Sequence, residues 1–414
     1  MSLFELPITI DEAKEHTYKY WTPSKPIQQF ENHSFGKKGS INEDFGKDTL
    51  YSSLTPISFE PFNWVQLKDD ELYKAVNFIN KYNYNNEKEK FFKKITPSYF
   101  KWSLGNNGVC HALKYKNTIV AVIGISFLKM NLCKEEKVCT NIKYMCLHPQ
   151  YRTSNNPSEK TPFVNAIFDE IIRYHYTQGY RHGIFTTEVF VPIPFVSYRE
   201  FFRPLNYEKL LNNKFFVLNG DKKSIQDRFN ENTKPSEFYF EAIEDDLEYI
   251  FELYNEYCNK FNIYVNYSFE EFKFLLWNEN VRLYVIKNNN NHIIDFVSYY
   301  KYELSVKNSD ETLKCARMLL YTCLCEEITV LGSNTIRLIA KYDGDCDMFW
   351  SDNLNQSKDY ILSSSLKPDE ESDEEEYKKA YELKFSKYSS VKYINMFNYK
   401  TGLMYPQQVI FPEY

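Results

Sequence analysis

Residues 141–174, NIKYMCLHPQYRTSNNPSEKTPFVNAIFDEIIRY, change character twice. The first residues are apolar and strand-like. A polar loop rich in Asn, Ser and Pro follows, with Arg152 at its mouth. From Pro162 the apolar residues recur at helical spacing. A strand that runs through such a loop into a helix N-terminus is one form an anion site takes, because the first amides of a helix lack intrahelical partners and its dipole favours negative charge; most units of this form bind nothing, and the pattern alone does not decide. Arg152, Thr153, Ser154 and Lys160 supply side-chain donors around it.

The neighbouring segments extend the pattern. Residues 70–85 place Leu72, Ala75, Val76 and Ile79 on one helical face. TPSYFKWSLG, 96–105, reads as a short helix with Thr96 as N-cap and Pro97 at the first position. TIVAVIGISFL (118–128) and VCTNIKYMCLH (138–148) read as strands. The helix from Pro162 to Tyr176 turns Val164, Ile167, Phe168, Ile171 and Ile172 to one side. HGIFTTEVFV (182–191) is a further strand. The second half repeats the order, with helices at 243–259 and 268–277, strands at VRLYVIK and IDFVSYYKYEL, a helix around CARMLLYTCLCEEITVLG and a strand at TIRLIAKY. Both halves therefore read helix, helix, strand, strand, helix, strand, with a boundary between Asp221 and Lys234. Residues 1–60 read as an arm laid over a domain, and 351–376, strongly acidic, as a flexible insertion.

Composition narrows the function. A chain of 414 residues that is 43% hydrophobic, with 35 Tyr and 33 Phe, can bury an extensive core. A net charge of −6 without a basic stripe argues against a nucleic-acid binder. Nine scattered cysteines and seven histidines form no metal or redox spacing, so no metal is expected. MSLFELPITIDEAKEH has no signal-peptide pattern and no long apolar run occurs, so a cytoplasmic protein without a transmembrane segment is expected.

Four blocks, HTYKYWTPSKPI (16–27), YMCLHPQYR (144–152), VFVPIPFVSYREFFRPLNYEKL (189–210) and DFVSYY (295–300), stand in the order and approximate spacing of the eukaryotic glycylpeptide N-myristoyltransferases. The chain resembles that family over nearly its whole length, at low identity. The resemblance implies an α/β (α+β) fold of two fused GNAT-like acyltransferase halves in pseudo-twofold arrangement around a continuous mixed sheet. Residues 1–220 would hold the acyl-CoA site. Residues 221–414 would supply peptide-binding elements and the catalytic C-terminus.

By the same resemblance the reaction is transfer of a myristoyl group from myristoyl-CoA to an N-terminal glycine amine of peptides or nascent proteins, by a monomer. Backbone N–H groups of Tyr144 and Met145 would form the oxyanion hole. The terminal carboxylate of Tyr414 would be the base, and the Thr186 hydroxyl would hold the amine. Tyr18, Lys19, Tyr20 and Trp21 would clamp the acyl donor. Tyr144, Met145, Cys146 and Leu147 would line the thioester and chain, and Arg152, Thr153, Ser154, Lys160, Thr161 and Pro162 the phosphates. Cys146 has no base placed to activate it, so direct attack is expected rather than an acyl-cysteine. Lys143, Glu188, Ser298 and Tyr321 occupy substrate-side positions. Lys143 stands where the family has Asn and Glu188 where it has Gly; the two could pair. The alternative is a catalytically weakened member that binds acyl-CoA and peptides.

Overall fold

The computed structural model describes residues 9, 11–12, 38–44, 47, 49–83, 90–152, 162–188, 194–215, 234–363 and 386–414. Two compact units share the chain without being contiguous in it. The first comprises residues 1–86, 95–197 and 392–405, the second 87–94, 198–391 and 406–414. The expected boundary near 221–234 falls almost wholly outside the described residues.

In the first unit, helix Leu72–Tyr82 buries Leu72, Ala75, Val76, Phe78 and Ile79. Helix Pro97–Leu104 begins where Thr96 Oγ1 accepts the Tyr99 N–H at 3.1 Å and stops at Gly105, whose φ of 82° favours glycine. Three antiparallel strands follow: Val109–Tyr115, Thr118–Leu132 and Glu135–Leu147. Phe62–Leu67 pairs on the outer edge of the first. Helix Pro162–Thr177 then crosses back, and His182–Thr187 returns parallel to Glu135–Leu147. Tyr393–Phe397 pairs antiparallel on its far side. Ile167 and Ile171 of the helix join Trp64, Leu113, Val120, Ala121, Ile123, Ile125 and Leu147 in one core. The same helix holds the arm. Its buried Glu170–Arg173 pair accepts the Ile57 N–H and donates to the carbonyls of Ser53 and Leu54.

The second unit repeats this plan. Helices Leu247–Cys258 and Phe269–Leu276 precede three antiparallel strands, Val281–Lys287, Ile293–Val306 and Thr312–Tyr321. Helix Ile328–Tyr342 crosses, and Met348–Asp352 returns parallel to Thr312–Tyr321. Ser268 and Glu271 form a capping box at the start of the second of these helices.

Three readings of the sequence are corrected. CARMLLY is a strand, so Tyr321 is a strand residue, and TIRLIAKY is a helix. A short apolar run has no decisive period. ARMLLY is sandwiched between two strands, whereas Leu331, Thr335, Ile336, Leu338 and Ile339 bury one helical face. Each unit accordingly runs helix, helix, strand, strand, strand, helix, strand, one strand more than expected. Residues 351–363 are not the start of a flexible insertion. They are the end of a strand and helix Ser357–Ser363, with Tyr360 and Ile361 fully buried and the Tyr360 ring against Gly332. Residues 364–385 lie outside the described residues. No helix among the described residues is long and apolar enough to cross a membrane.

Candidate active site

The strand Glu135–Leu147 carries two departures from regular pairing, both at the expected oxyanion segment. On the side of Thr118–Leu132, Ile125 pairs with Ile142 but Gly124 pairs with Tyr144, so Lys143 is inserted into the register as a β-bulge. On the other side, parallel pairing with His182–Thr187 runs from Cys139 to Asn141 and stops. Beyond Asn141 and Ile184 the two parallel strands are no longer paired, and Phe185 to Thr187 pair with Tyr393–Asn395. A bulge re-aims backbone groups out of the ladder. Here the residue left out of the ladder is Lys143, and pairing resumes at Tyr144 with Gly124 and at Met145 with Ile123. Met145 is exposed and Tyr144 half-buried.

Side chains that the sequence did not single out hold this segment. The Tyr144 ring lies 4.8 Å from Phe100, and its hydroxyl is 2.9 Å from Ser103 Oγ. Gly124 makes room for it: a Cβ there would stand 2.9 Å from Tyr144 Cδ2 and 3.0 Å from Leu104 Cδ2. The glycine in VAVIGIS was the available signal.

The loop mouth is built by Arg152. Its Nε donates to the Leu147 carbonyl at 2.6 Å, and Nη2 donates to the Tyr82 carbonyl and lies 3.9 Å from Cys146 Sγ. Much of the guanidinium thus fixes the strand end as a structural tie. Burial pushes the Cys146 thiol up to about 11 against the pull of Arg152, so it stays protonated at neutral pH and is a poor nucleophile. Leu147 belongs to the core. Helix Pro162–Thr177 starts where expected. Thr153, Ser154, Lys160 and Thr161, and Tyr18, Lys19, Tyr20 and Trp21, lie outside the described residues.

Thr186 is half-buried, opposite Ile394. Glu188 is exposed just beyond the strand, and among the described residues no ion pair joins it to Lys143. Ser298 is fully buried, with Oγ donating to the Leu320 carbonyl at 2.7 Å and accepting its N–H at 3.0 Å. Tyr321 is buried too, its hydroxyl bonded to Asn355 and 3.0 Å from Ser357 Oγ. Both fill the interior of the second unit.

The last residues of the chain are built into the second unit. Val409–Ile410 pairs parallel to Ile263–Val265, and the Asn355 N–H donates to the carbonyls of Pro406 and Val409. Glu413 is gripped more tightly. Tyr198 donates to its carboxylate at 2.9 Å, Arg317 at 3.3 Å, and Tyr300 to its carbonyl at 3.1 Å. Arg317 also pairs with Glu200 and, at 3.3 Å, Asp352. One guanidinium serves three carboxylates, and desolvation, reinforced by Glu413 and Glu200, raises Asp352 to about 6. The Tyr414 phenol, beside Tyr267, is pushed up to about 12 by burial. Among the described residues no group of three or more His, Cys, Asp or Glu could hold a metal ion.

Two family models match. The model for the N-terminal domain of myristoyl-CoA:protein N-myristoyltransferase covers residues 48–197, and that for its C-terminal domain residues 221–361. A glycylpeptide N-tetradecanoyltransferase of Eremothecium gossypii is 23% identical over 306 residues, 70% of this chain and 66% of that protein. The Saccharomyces cerevisiae enzyme of the same name is 23% identical over 318 residues, 72% of this chain and 67% of that one. The chain thus matches about two thirds of the length of these relatives. A crystal structure of the S. cerevisiae N-myristoyltransferase with bound myristoyl-CoA superimposes with a TM-score of 0.78 at 18% identity, covering 94% of this chain and 89% of that one.

Proposed function

From the premise that the chain belongs to the myristoyl-CoA:protein N-myristoyltransferases, a family of acyltransferases, we propose that it transfers a myristoyl group from myristoyl-CoA to the N-terminal glycine amine of peptides and proteins. The observation that supports the proposal is the bulge at Lys143, past the point where pairing with His182–Thr187 ends. In this reading the backbone of Tyr144 and Met145 supplies the oxyanion donors, and the thioester carbonyl enters beside the unpaired edge. Amides held by the sheet do not reorganise as the carbonyl oxygen gains charge, so they favour the tetrahedral transition state over the ground state. Arg152 stiffens the strand end that feeds the phosphate loop, and the start of helix Pro162–Thr177 contributes its dipole.

In this reading the glycine amine attacks the thioester carbon directly. The amine is delivered as a neutral nucleophile by loss of a proton to the main-chain carboxylate of Tyr414, with Thr186 accepting or donating a hydrogen bond at the nitrogen. Coenzyme A leaves as the thiol after taking up a proton. The protonated state of Cys146 supports the absence of an acyl-cysteine intermediate. The grip on Glu413 supports the base, because a carboxylate works only when held within hydrogen-bond reach.

The test is an extension. Adding three residues after Tyr414 moves the carboxylate away while leaving Glu413 and its partners in place. Turnover should fall by about 10²-fold or more, the range for a lost general base, with myristoyl-CoA binding retained. Full turnover of the extended chain would remove Tyr414 from the mechanism.

A further inference from the structure

Strand Tyr239–Glu241 of the second unit stands at the end of its sheet. Val281–Lys287 pairs along one edge, and among the described residues no strand pairs along the other. The Ala242 N–H donates to the Leu283 carbonyl at 3.0 Å, and the Lys287 N–H to the Phe238 carbonyl at 2.9 Å. Residues 238, 240 and 242 therefore turn their backbone groups toward Val281–Lys287. Alternation turns the N–H and carbonyl of Glu241 outward. Such outward groups are a template for a further strand.

The side chains around this edge are of two kinds. Phe238, Phe240 and Ile243 are exposed large hydrophobics. Phe240 shares a face with its partner Val285, and Glu241 shares the opposite face with Tyr284. From Pro235 to Asn259 the chain carries eight acidic residues and neither Lys nor Arg. Glu237, Glu241 and Asp245 are exposed. Two cations lie close: Lys273 pairs with Glu244 at 2.6 Å, and the Lys287 ammonium stands 5.3 Å from the Phe240 ring. They leave the acids in excess. A second copy of the chain is a poor occupant, because antiparallel pairing of two such edges sets the acids of one against those of the other.

We propose that this edge docks an extended segment of a partner protein in which Lys or Arg alternates with large apolar residues. Added as a strand, the segment bonds its backbone to Glu241, lays apolar side chains beside Phe240 on one face and sets cations beside Glu241 on the other. The surface does not depend on the acyl-transfer reading.

The probe is a short peptide of alternating Lys and Val, acetylated at its N-terminus so that it offers no glycine amine, and labelled with fluorescein at its C-terminus. Fluorescence anisotropy with the full chain should give saturable binding on the order of 10 μM at about 50 mM salt, the range of small contacts. It should weaken at least about 5-fold at about 300 mM salt. A peptide with the same residues in two blocks, lysines then valines, has the same charge and should bind at least about 10-fold more weakly, because only alternation serves both faces. Glu237→Lys with Glu241→Lys should weaken the alternating peptide at least about 10-fold, and Phe240→Thr at least about 3-fold. Asp310→Lys with Glu311→Lys makes the same charge change at an exposed turn elsewhere in the second unit; it should alter binding by less than about 2-fold. Hydrogen exchange at the Glu241 amide should slow when the peptide is added. No saturable binding, equal binding of the block peptide, equal loss in the Asp310 and Glu311 variant, or an unchanged Glu241 amide overturns the proposal. A Glu241 amide already protected without peptide, by a second copy or by other residues of the chain, overturns it too. If a variant does not fold, the block peptide and the Glu241 amide, both read on the wild type, decide.

Discussion

Gly124→Ala is the sharpest probe of the geometry at Tyr144. The new methyl would lie 2.9 Å from Tyr144 Cδ2, 3.0 Å from Leu104 Cδ2 and 3.4 Å from Tyr144 Cβ. Relief requires a retreat of about half an ångström. Leu104 is buried in the core and cannot give without moving its helix. Tyr144 is braced by Phe100 and by Ser103, so the movement passes into the backbone at the bulge. Overpacking of this kind costs about 1–3 kcal/mol of stability. The effect on turnover should be larger. A displacement of about 1 Å at a reacting centre costs on the order of 10²-fold, so half of that gives a kcat lower by about 10-fold. Myristoyl-CoA binding should change by less than about 3-fold, because the loop mouth at Arg152 is untouched. The assay is steady-state thiol release beside a thermal melt. Tyr144→Phe is the control: it drops only the bond to Ser103 and keeps the ring, and it should cost less than about 3-fold, since the proposed donor is the backbone amide. A Gly124→Ala protein that melts lower but turns over at the wild-type rate would refute the argument that this packing sets the oxyanion geometry.

Other outcomes follow from the buried charges. Asp352 has a folded pKa near 6 against an ordinary 3.8, so its ionisation opposes folding; this penalty is absent below about pH 4, grows as pH rises and is complete above about 6. Asp352→Asn should therefore stabilise the protein at pH 7 by about 1–2 kcal/mol in urea titrations, after allowance for the lost bond to Arg317, and by nothing near pH 4. Burial holds His111 and His182 near 4 and His175 near 3. The unfolded chain protonates these histidines at about 6.5 and the folded chain does not, so stability should fall by about 2 kcal/mol per histidine between pH 6.5 and 5; His111→Phe should flatten that slope by about a third. Lys143 and Glu188 form no ion pair among the described residues. A double-mutant cycle of Lys143→Asn and Glu188→Gly on kcat/KM should show coupling below about 0.5 kcal/mol, whereas a larger value would indicate that the pair forms with substrate bound.

How far the sequence could be read depends on the kind of signal. Helix Pro97–Leu104 was legible because its start and stop are chemical, with Thr96 and Pro97 at one end and Gly105 at the other. The long strand at 118–132 was legible from its β-branched residues. The strand at 312–321 and the helix at 328–342 were not, because each is a short apolar run whose state is decided by neighbours distant in sequence. The site divides in the same way. The strand that carries Tyr144 and Met145 and the start of the helix at Pro162 could be placed from the strand–loop–helix pattern. The bulge at Lys143 could not, since register is a property of two strands. The resemblance puts Ser298 and Tyr321 on the substrate side; in the structure both lie in the interior of the second unit, bonded to Leu320, Asn355 and Ser357. The grip of Tyr198, Tyr300 and Arg317 on Glu413 leaves no trace in the sequence, because it joins residues more than ninety positions apart.

The central claim is acyl transfer to a glycine amine, and it is most directly tested by the product. The purified protein is mixed with myristoyl-CoA and a panel of Gly-initiated peptides, and thiol release is followed while the peptides are weighed by mass spectrometry. The account predicts peptide-dependent thiol release with one myristoyl group added at the N-terminal amine. It also predicts none with the same peptides begun by Ala or acetylated at Gly. Saturable myristoyl-CoA binding without peptide-dependent thiol release, or equal acylation of the blocked peptides, would contradict it.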